Sequence, residues 1–496
     1  MLDAYRRDYT DFNSACTREY YLFLSGQKTT LEIAPIYERY GDLFTRESIQ
    51  RLRDELNSTP GHFEMQRSAT GRLLVFAVEQ FLENSVKQLI EEINEYEASA
   101  TINWRGRELT FQDAAAEITT EGNRNARREI YARRTAVIEA SNHLRSRRLV
   151  SLHDGARSLG AQSYLRLFEE LRALDYAEIA REATSVLIET ESLYLSRLSE
   201  ALVRDLGLNL PQAERHDAIY LLHLTHYDDR FPAGTLLSVY ADTMAGLGIS
   251  VASQMNILID GEPRPRKTCR AFCMPISVPD DIRLVIRPVG GQSDYQSLFH
   301  EIGHAQHYGW ASESLLPEFK YTGDYALTES YAFLFNHLIS DKAWLAEFLN
   351  LHESREFVRA VMLARLVTVR RYVGKLAYEC ELHGGADLTQ SAESYALLQT
   401  EATKFKTDAA EFLYDLDDSF YSASYLRAWA LEVALREHLK TRFGTRWWAS
   451  RRAGDFLRQM WETGDRHTAD EMAAQIGIGP ISFGPLIDEF NHALKN

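Results

Sequence analysis

The spacing of apolar residues predicts long helices through the first 200 or so residues. Over 78–93 the apolar side chains recur at helical spacing, which places them on one face of a helix. Similar patterns occupy 164–174 and 186–202, and the chain from 339 onwards is again mostly helical in pattern. These patterns are typical of a mainly α protein.

The pattern changes to that of short strands near residue 257. The segment 256–260 is apolar and β-branched, and after turn-like residues it is followed by 271–278. Over 282–288 apolar and charged residues alternate, which predicts a strand with one covered face. The turn residues at 279–281 predict a hairpin between the last two segments. We therefore expect one small sheet inside a helical protein.

Composition and charge exclude several classes of protein. The chain has 55 Lys and Arg against 71 Asp and Glu, a net charge of −16, which argues against a nucleic-acid binder. The arginines within 127–134 and 442–452 are therefore interpreted as solvated helix faces. No stretch reaches the roughly 18 apolar residues of a membrane helix, and the first residues lack a secretory signal. With only four cysteines, a cytoplasmic location is expected, without membrane or nucleic-acid partners.

One short motif carries chemistry. A helix is predicted over 293–309, beginning with a capping box at 293–296, and it contains an HExxH sequence. His300 and His304 lie one turn apart on one face, so both imidazoles can bind one zinc ion. Glu301, beside the first histidine, can take a proton from a water molecule and later deliver it to a leaving amine.

A third protein ligand is needed, and Glu329 is the strongest candidate. It lies in the segment 326–338, which is apolar on nearly all sides and is predicted to be a buried helix. A carboxylate there must be paired, hydrogen-bonded or metal-bound. The alternative is a charge that stabilises the helix start. Glu313 and Glu318 fall in a predicted loop and are weaker candidates.

The sequence from His300 to His307 resembles the HExGHxxH motif of the thimet oligopeptidase and oligoendopeptidase F family of zinc metallopeptidases. The separation of 29 positions between His300 and Glu329 also matches the third ligand of that family. The segments 270–273 and 282–288 resemble the strands that precede its motif helix. The motif is also similar to that of the angiotensin-converting enzyme family and of thermostable carboxypeptidases, so the choice among these stays open.

The resemblance implies a helical ellipsoid with a deep central cleft and a small sheet beside the motif helix. One zinc ion would lie on the cleft floor, held by His300, His304 and Glu329. Glu301 would be the general base for a water molecule that the metal activates. A peptide would bind in extended form by main-chain pairing with 282–287. The corresponding domains are an N-terminal helical half, 1–205, and a catalytic half, 206–496, which carries the sheet, the zinc site and the C-terminal helices.

The family also supplies a tyrosine that stabilises the oxyanion of the tetrahedral intermediate. The segment 420–427 resembles its FYxxxY sequence, with Tyr425 as the expected donor and Tyr421 one turn earlier. Both tyrosines could instead serve only packing. The family has a histidine in a glycine-rich loop before these tyrosines, whereas 414–418 is acidic and lacks glycine. Either Tyr421 replaces that histidine, or the enzyme is slow or narrow in specificity.

The function predicted is therefore zinc-dependent hydrolysis of short peptides by a cytoplasmic metalloendopeptidase of the oligopeptidase type. The alternatives are a metallocarboxypeptidase, in which Arg427 could bind the free carboxylate, and an inactive peptide-binding relative. His307 is interpreted as a supporting residue and not as a ligand. The assignment requires the Glu329 carboxylate to lie within about 5 Å of the ring nitrogens of His300 and His304. The oligomeric state and the cleavage preference stay open.

Overall fold

The computed structural model describes residues 2–268 and 271–495, and within them the chain is mostly helical. The helices α1 to α20 span, in order, Leu2–Leu24, Ala34–Arg39, Arg46–Ser58, Glu64–Ser99, Phe111–Thr120, Arg124–Ser158, Tyr164–Arg172, Tyr176–Ala201, Arg215–His223, Leu236–Gly246, Gln292–Trp310, Glu318–Tyr321, Tyr325–Asn336, Lys342–Leu349, Arg355–Gly384, Leu388–Thr403, Tyr421–Phe443, Arg451–Trp461, Ala469–Gln475 and Gly484–Lys495. The strands β1 to β5 are Thr101–Trp104, Arg107–Thr110, Ile257–Asp260, Phe272–Ser277 and Asp281–Val285. The predicted mainly α class with a small sheet is confirmed.

The chain forms two compact units, each built from three segments. Unit 1 comprises Met1–Val78, His226–Val358 and Arg427–Leu486. Unit 2 comprises Glu79–Thr225, Arg359–Leu426 and Ile487–Asn496. The sequence predicted two halves that are consecutive along the chain. The compact units are groups of residues that are close in space, and they are therefore a different kind of division. The division into 1–205 and 206–496 stays a prediction, as do the ellipsoid and its cleft.

The predicted sheet lies in unit 1 and has three strands in the order β3-β5-β4. β5 pairs parallel with β3 and antiparallel with β4, and the latter pair is the predicted hairpin. The central position of β5 means that its backbone is paired on both sides. The expectation that a peptide pairs with 282–287 is therefore wrong, because 282–285 lie in the central strand. Arg270, the first residue of the segment 270–273 noted above, lies outside the described residues. Cys269 does so too.

Both faces of this sheet are covered, whereas the sequence predicted one covered face. Ile282 packs in a cluster with Ala305 of α11, while Val285 packs with Tyr21 of α1. Ile282 and Val285 are three positions apart on β5, so their side chains point to opposite faces of the sheet. Both are fully buried, so both faces are covered. The sheet is thus a layer between α1 and the motif helix α11.

Two features of unit 2 differ from the helical pattern predicted there. β1 and β2 form an antiparallel hairpin, closed at Arg105 and Gly106, which both have positive φ angles of 52° and 74°. Arg127, interpreted as part of a solvated face, is buried and forms an ion pair of 2.8 Å with Asp217. The ion pair with Asp217 compensates for the burial of this charge. Because Asp217 lies ninety positions away in sequence, the local pattern could not reveal the pair. Among the described residues, no helix is both long enough and apolar enough to span a bilayer.

Candidate metal centre and active site

The motif helix α11 begins one residue earlier than predicted and is capped from a distance. Its N-cap is Gly291, and Ser293 lies inside the first turn, so the predicted capping box is wrong. The carboxylate of Asp228 accepts the backbone N–H of Gln292 at 3.1 Å. Gly291 has a φ of 97°, and a Cβ there would come within 2.7 Å of Asp228 Oδ1. Glycine is therefore required where a side chain from another segment caps the helix.

The three predicted ligands meet where α11 packs against α13. Nε2 of His300 lies 3.3 Å from Oε2 of Glu329, and Nε2 of His304 lies 3.6 Å from its Oε1. One donor atom from each residue can be chosen so that all three lie within 4.8 Å of one another. The separation required of Glu329 and the two imidazoles is thus met.

These distances fit a zinc ion. Two ligands at about 2.0–2.1 Å from a tetrahedral zinc ion are separated by roughly 3.3–3.4 Å. The separations of 3.3 and 3.6 Å between carboxylate oxygens and imidazole nitrogens match that value closely. Two neutral nitrogens and one carboxylate are also a donor set that suits zinc better than magnesium or calcium, which prefer oxygen ligands.

Burial controls the protonation of the ligand set. The exposed fractions of the side chains of His300, His304 and Glu329 are 16%, 13% and 4%. Burial lowers the pKa of His304 to about 4, so its imidazole is neutral at physiological pH. Burial also lowers the pKa of His300, but the hydrogen bond to Glu329 and the charge of that carboxylate outweigh it, so the net pKa is raised. The Glu329 carboxylate thus favours the protonated form of His300.

Glu301 lies between the two ligand histidines in sequence, and its charge acts on a thiol of the sheet. The pKa of the Cys273 thiol, on β4, is raised well above its usual value by burial and by the negative charge of Glu301. This electrostatic coupling indicates that the carboxylate lies near β4. β4 also packs against α11 and is an edge strand of the sheet. Glu301 is therefore near both the ligand set and a strand edge.

His307 does not belong to the ligand set. Its side chain is completely buried, and its ring packs at 5.2 Å from that of Tyr308 and at 5.0 Å from that of Tyr331. Among the described residues, neither ring nitrogen of His307 has a hydrogen-bond partner. Its position one turn below His304 contributes packing between α11 and α13.

The start of α13, which carries Glu329, is held by Asp324. This carboxylate accepts the backbone N–H of Ala326 at 3.0 Å, and it also accepts that of Ala469 at 2.9 Å. Arg427 forms an ion pair with Asp324 at 3.2 Å and another with Asp470 at 2.6 Å. Arg427 is 5% exposed, so it is a buried structural cation in unit 1. Its network anchors the helix that presents the third ligand.

The two candidate tyrosines belong to unit 2, at the start of α17. The ring centroids of Tyr421 and Tyr425 are 5.0 Å apart. Tyr425 also stacks on Tyr372, with centroids 5.1 Å apart and an interplanar angle of 12°. Both rings are half-buried. The predicted sharing of one helix face is consistent with these contacts, and the catalytic role of either tyrosine stays a prediction.

Sequence reasoning missed the residues that hold the site from a distance. Asp228 was visible only as an acidic loop residue, and its contact with α11 carries no local signal. Asp324 precedes an apolar helical segment, where an Asp is a usual N-cap. Its buried partner Arg427 is 103 positions away, so only tertiary structure reveals the pair.

Comparison with known proteins finds a similar fold among solved structures but no match to a sequence family. No protein-family model matches the chain, and no curated protein matches it. The fold is similar to that of the solved structure described as PZ peptidase A with inhibitor 2, with a TM-score of 0.68. The alignment covers 98% of this chain and 90% of that chain, at 14% sequence identity. The chain thus shares the overall fold of a PZ peptidase.

Proposed function

We propose that this protein is a zinc-dependent peptidase that hydrolyses peptide bonds in short peptides. The observation that carries the proposal is the grouping of donor atoms from His300, His304 and Glu329, with Glu301 directly after His300 in the sequence. Two imidazoles and one carboxylate are a ligand set of catalytic zinc sites, and they leave one position for water or substrate. The likeness in fold to a PZ peptidase supports the same class.

Each residue of the site has a separate task in this proposal. His300, His304 and Glu329 hold the ion. When bound, the zinc ion supplies Lewis acidity, which polarises the scissile carbonyl and makes water more acidic. Glu301 accepts a proton from the attacking water molecule and transfers it to the amine as the C–N bond breaks. The same carboxylate thus acts first as base and then, in its protonated form, as acid.

We further propose that the substrate lies extended along β4. This strand is at the edge of the sheet, and its outer backbone has no strand partner among the described residues. An extended peptide adds to such an edge by main-chain hydrogen bonds, which depend little on its side chains. Because Glu301 is coupled electrostatically to Cys273 of β4, a peptide there would run beside the general base.

We assign to Tyr425 the role of oxyanion donor, with Tyr421 as its neighbour. A phenol stays protonated at neutral pH and can donate a hydrogen bond to a developing negative charge. The resemblance to the FYxxxY sequence and the stacking of Tyr425 on Tyr372, which orients the ring, support this assignment.

Internal cleavage is favoured over carboxypeptidase action by the state of Arg427. A carboxypeptidase needs a cation available for the free carboxylate of its substrate. Arg427 was the candidate, but it is buried and paired with Asp324 and Asp470. We therefore propose an endopeptidase, for which no such cation is needed.

The proposal is tested by mapping the products from a pool of short peptides by mass spectrometry, with and without a zinc chelator. The variant Glu301→Gln should retain zinc, measured by elemental analysis, while hydrolysis falls by about 10³-fold because the general base is lost. Glu313→Gln is the matched control, since Glu313 is exposed and lies outside the ligand set.

The outcomes separate the candidate functions. Internal cuts that disappear with chelator and in Glu301→Gln support the proposal. Removal of C-terminal residues alone would show a carboxypeptidase. Peptide binding without turnover by the zinc-loaded protein would show an inactive binding protein and overturn the proposal.

A further inference from the structure

The acidic segment 414–420, which leads into α17, is held along most of its length by residues of unit 2. Its contacts are ion pairs of Asp415 with Arg371, Asp417 with Lys375 and Asp418 with Arg148, and hydrogen bonds of Asp415 with Tyr395 and of Ser419 with Tyr164. The Lys375–Asp417 distance is 2.9 Å, and the Tyr395 hydroxyl donates to Asp415 at 2.8 Å. Acidic side chains thus fix the segment that precedes the two tyrosines.

The backbone at the end of this segment is strained. Ser419 and Phe420 have φ angles of 56° and 57°, in the left-handed region, which is unfavourable for a non-glycine residue. Phe420 is buried and stacks on Tyr176, with centroids 4.3 Å apart. Such a conformation persists only where the surroundings determine it strongly. The turn immediately before Tyr421 is therefore imposed by its contacts.

Glu379 of α15 joins the segment to the first turn of α17. Its Oε1 accepts the backbone N–H of Asp417 at 2.9 Å, and its Oε2 is hydrogen-bonded to the hydroxyl of Ser422. Both Glu379 and Ser422 are completely buried. Ser422 follows Tyr421 directly and precedes Tyr425 by three positions. One buried side chain thus bridges the strained turn and the helical turn that carries both tyrosines.

The charges around Glu379 explain why it is suited to this task. Arg371 forms an ion pair with Asp415 and Lys375 forms one with Asp417, so Glu379 lies among charges that are already paired. Burial and the negative charge of Asp417 raise the pKa of Glu379 to about 8, although Lys375 opposes the shift.

The Ser422 hydroxyl donates to Oε2 of Glu379 and the Asp417 N–H donates to Oε1. Both hydrogen bonds lower the pKa of Glu379 and so offset part of the effect of burial. The other titratable neighbours, Tyr378 and Cys380, lie on the same helix, and their pKa values are raised by burial and by the charge of Glu379. Burial and the charge of Asp417 outweigh the opposing groups, so the pKa of Glu379 is raised on balance.

We propose that Glu379, supported by Lys375, is a positioning residue that fixes the first turn of α17 and thereby the orientation of Tyr421 and Tyr425. The proposal rests on the proposed function in one respect, namely that these tyrosines assist hydrolysis. The ordering of the turn by Glu379 is independent of that function, because it depends only on contacts within unit 2.

The test combines hydrogen–deuterium exchange with kinetics on the full-length, zinc-loaded protein. In Glu379→Ala, exchange in residues 414–425 should accelerate by about tenfold, as expected for loss of a buried hydrogen bond. Displacement of a donor should lower kcat by about 100-fold with little change in KM. Ser422→Ala removes the hydrogen bond to Glu379 Oε2 with little loss of packing. It should accelerate exchange and lower kcat as Glu379→Ala does, but by a smaller factor.

Glu379→Gln tests the neutral form directly. Glutamine can accept the Asp417 N–H with its oxygen, and its amide can donate to the Ser422 oxygen once that hydroxyl rotates. This variant should therefore restore the exchange protection and the kcat lost in Glu379→Ala. The wild-type kcat should decline above about pH 8 as the carboxyl ionises, and this decline should be absent in Glu379→Gln. Glu381→Gln, an exposed neighbour on α15, is the control and should match the wild type.

The results distinguish failure of this proposal from failure of the proposed function. Unchanged exchange in 414–425 together with unchanged kcat in Glu379→Ala and Ser422→Ala overturns the positioning role. If Glu379→Ala does not fold, unchanged exchange and kcat in Ser422→Ala overturn the role by themselves. If the wild type hydrolyses no peptide but the exchange changes occur, the ordering of the turn is supported and the proposed function fails.

Discussion

Gly303, inside the HExxH motif, lies directly against Ala332 of α13. A Cβ placed on Gly303 would come within 2.4 Å of the Ala332 Cα and within 2.5 Å of the Tyr331 carbonyl oxygen. No real Cβ atom approaches backbone so closely, so the two helices meet at a distance that only glycine permits. This contact holds the face that carries His300 and His304 against the helix that carries Glu329.

We predict that Gly303→Ala weakens both the fold and the metal site. The added methyl group meets backbone that cannot rotate away, and overpacking of this kind costs about 1–3 kcal/mol. Separation of α11 from α13 should also lower zinc affinity, since the donor atoms come from both helices. The free energy of unfolding by urea and the bound zinc after dialysis measure the two effects.

Gly71 in α4 offers the matched control. Nothing lies within 4 Å of a Cβ placed there, so Gly71→Ala should keep the zinc and raise stability by up to about 1 kcal/mol, through helix propensity. Equal behaviour of the two variants would contradict the close contact with Ala332.

We predict that Glu329→Ala lowers zinc affinity by more than about 100-fold. Loss of a residue that only supports a ligand costs roughly 10–100-fold, and loss of the ligand itself should exceed that. Competition with a chromophoric chelator measures the affinity without recourse to activity. Glu313→Ala, at the competing acidic position in the sequence, should bind zinc like the wild type. Full zinc affinity in Glu329→Ala would remove it from the ligand set.

We predict that Arg427→Ala destabilises the fold by about 3–5 kcal/mol, because it leaves Asp324 partly buried without its cation. Peptides with a free and with an amidated C-terminus should be cleaved in the same ratio as by the wild type, since Arg427 is already paired. Arg442→Ala, at an exposed position of α17, should change stability by less than about 0.5 kcal/mol. Selective loss of cleavage of free-carboxylate peptides would instead support a carboxypeptidase.

We predict that Glu379→Gln is progressively more stable than the wild type as pH rises from about 5 to about 8. The folded-state pKa of Glu379, about 8, lies far above the usual value for a glutamate, so in this window the native state keeps a proton that the unfolded chain has released. Wild-type stability therefore falls with rising pH through this group, and glutamine removes that loss. Urea unfolding at several pH values measures the difference. Stability curves that stay parallel would contradict the raised pKa.

Much of the site could be predicted because its signals are local. The HExxH spacing, the apolar helix around Glu329 and the strand–turn–strand pattern before the motif depend on residues close in sequence. The prediction was wrong where a remote group intervenes. Asp228 caps α11 in place of the predicted box, and β3 occupies the second edge of β5. The hairpin β1–β2 was missed because its strands are only four residues long and lie between strong helical patterns.

By itself, the sequence determined that His300 and His304 share a helix face beside Glu301, because helical periodicity is a property of neighbouring residues. It determined also that Glu329 needs a partner, because its helix is apolar. Only the tertiary structure decided that this partner is the histidine pair, at 3.3 and 3.6 Å. The reason is that such a meeting depends on how two helices pack, and here that packing depends on a missing Cβ at Gly303 and on Asp324, which Arg427 holds from 103 positions away.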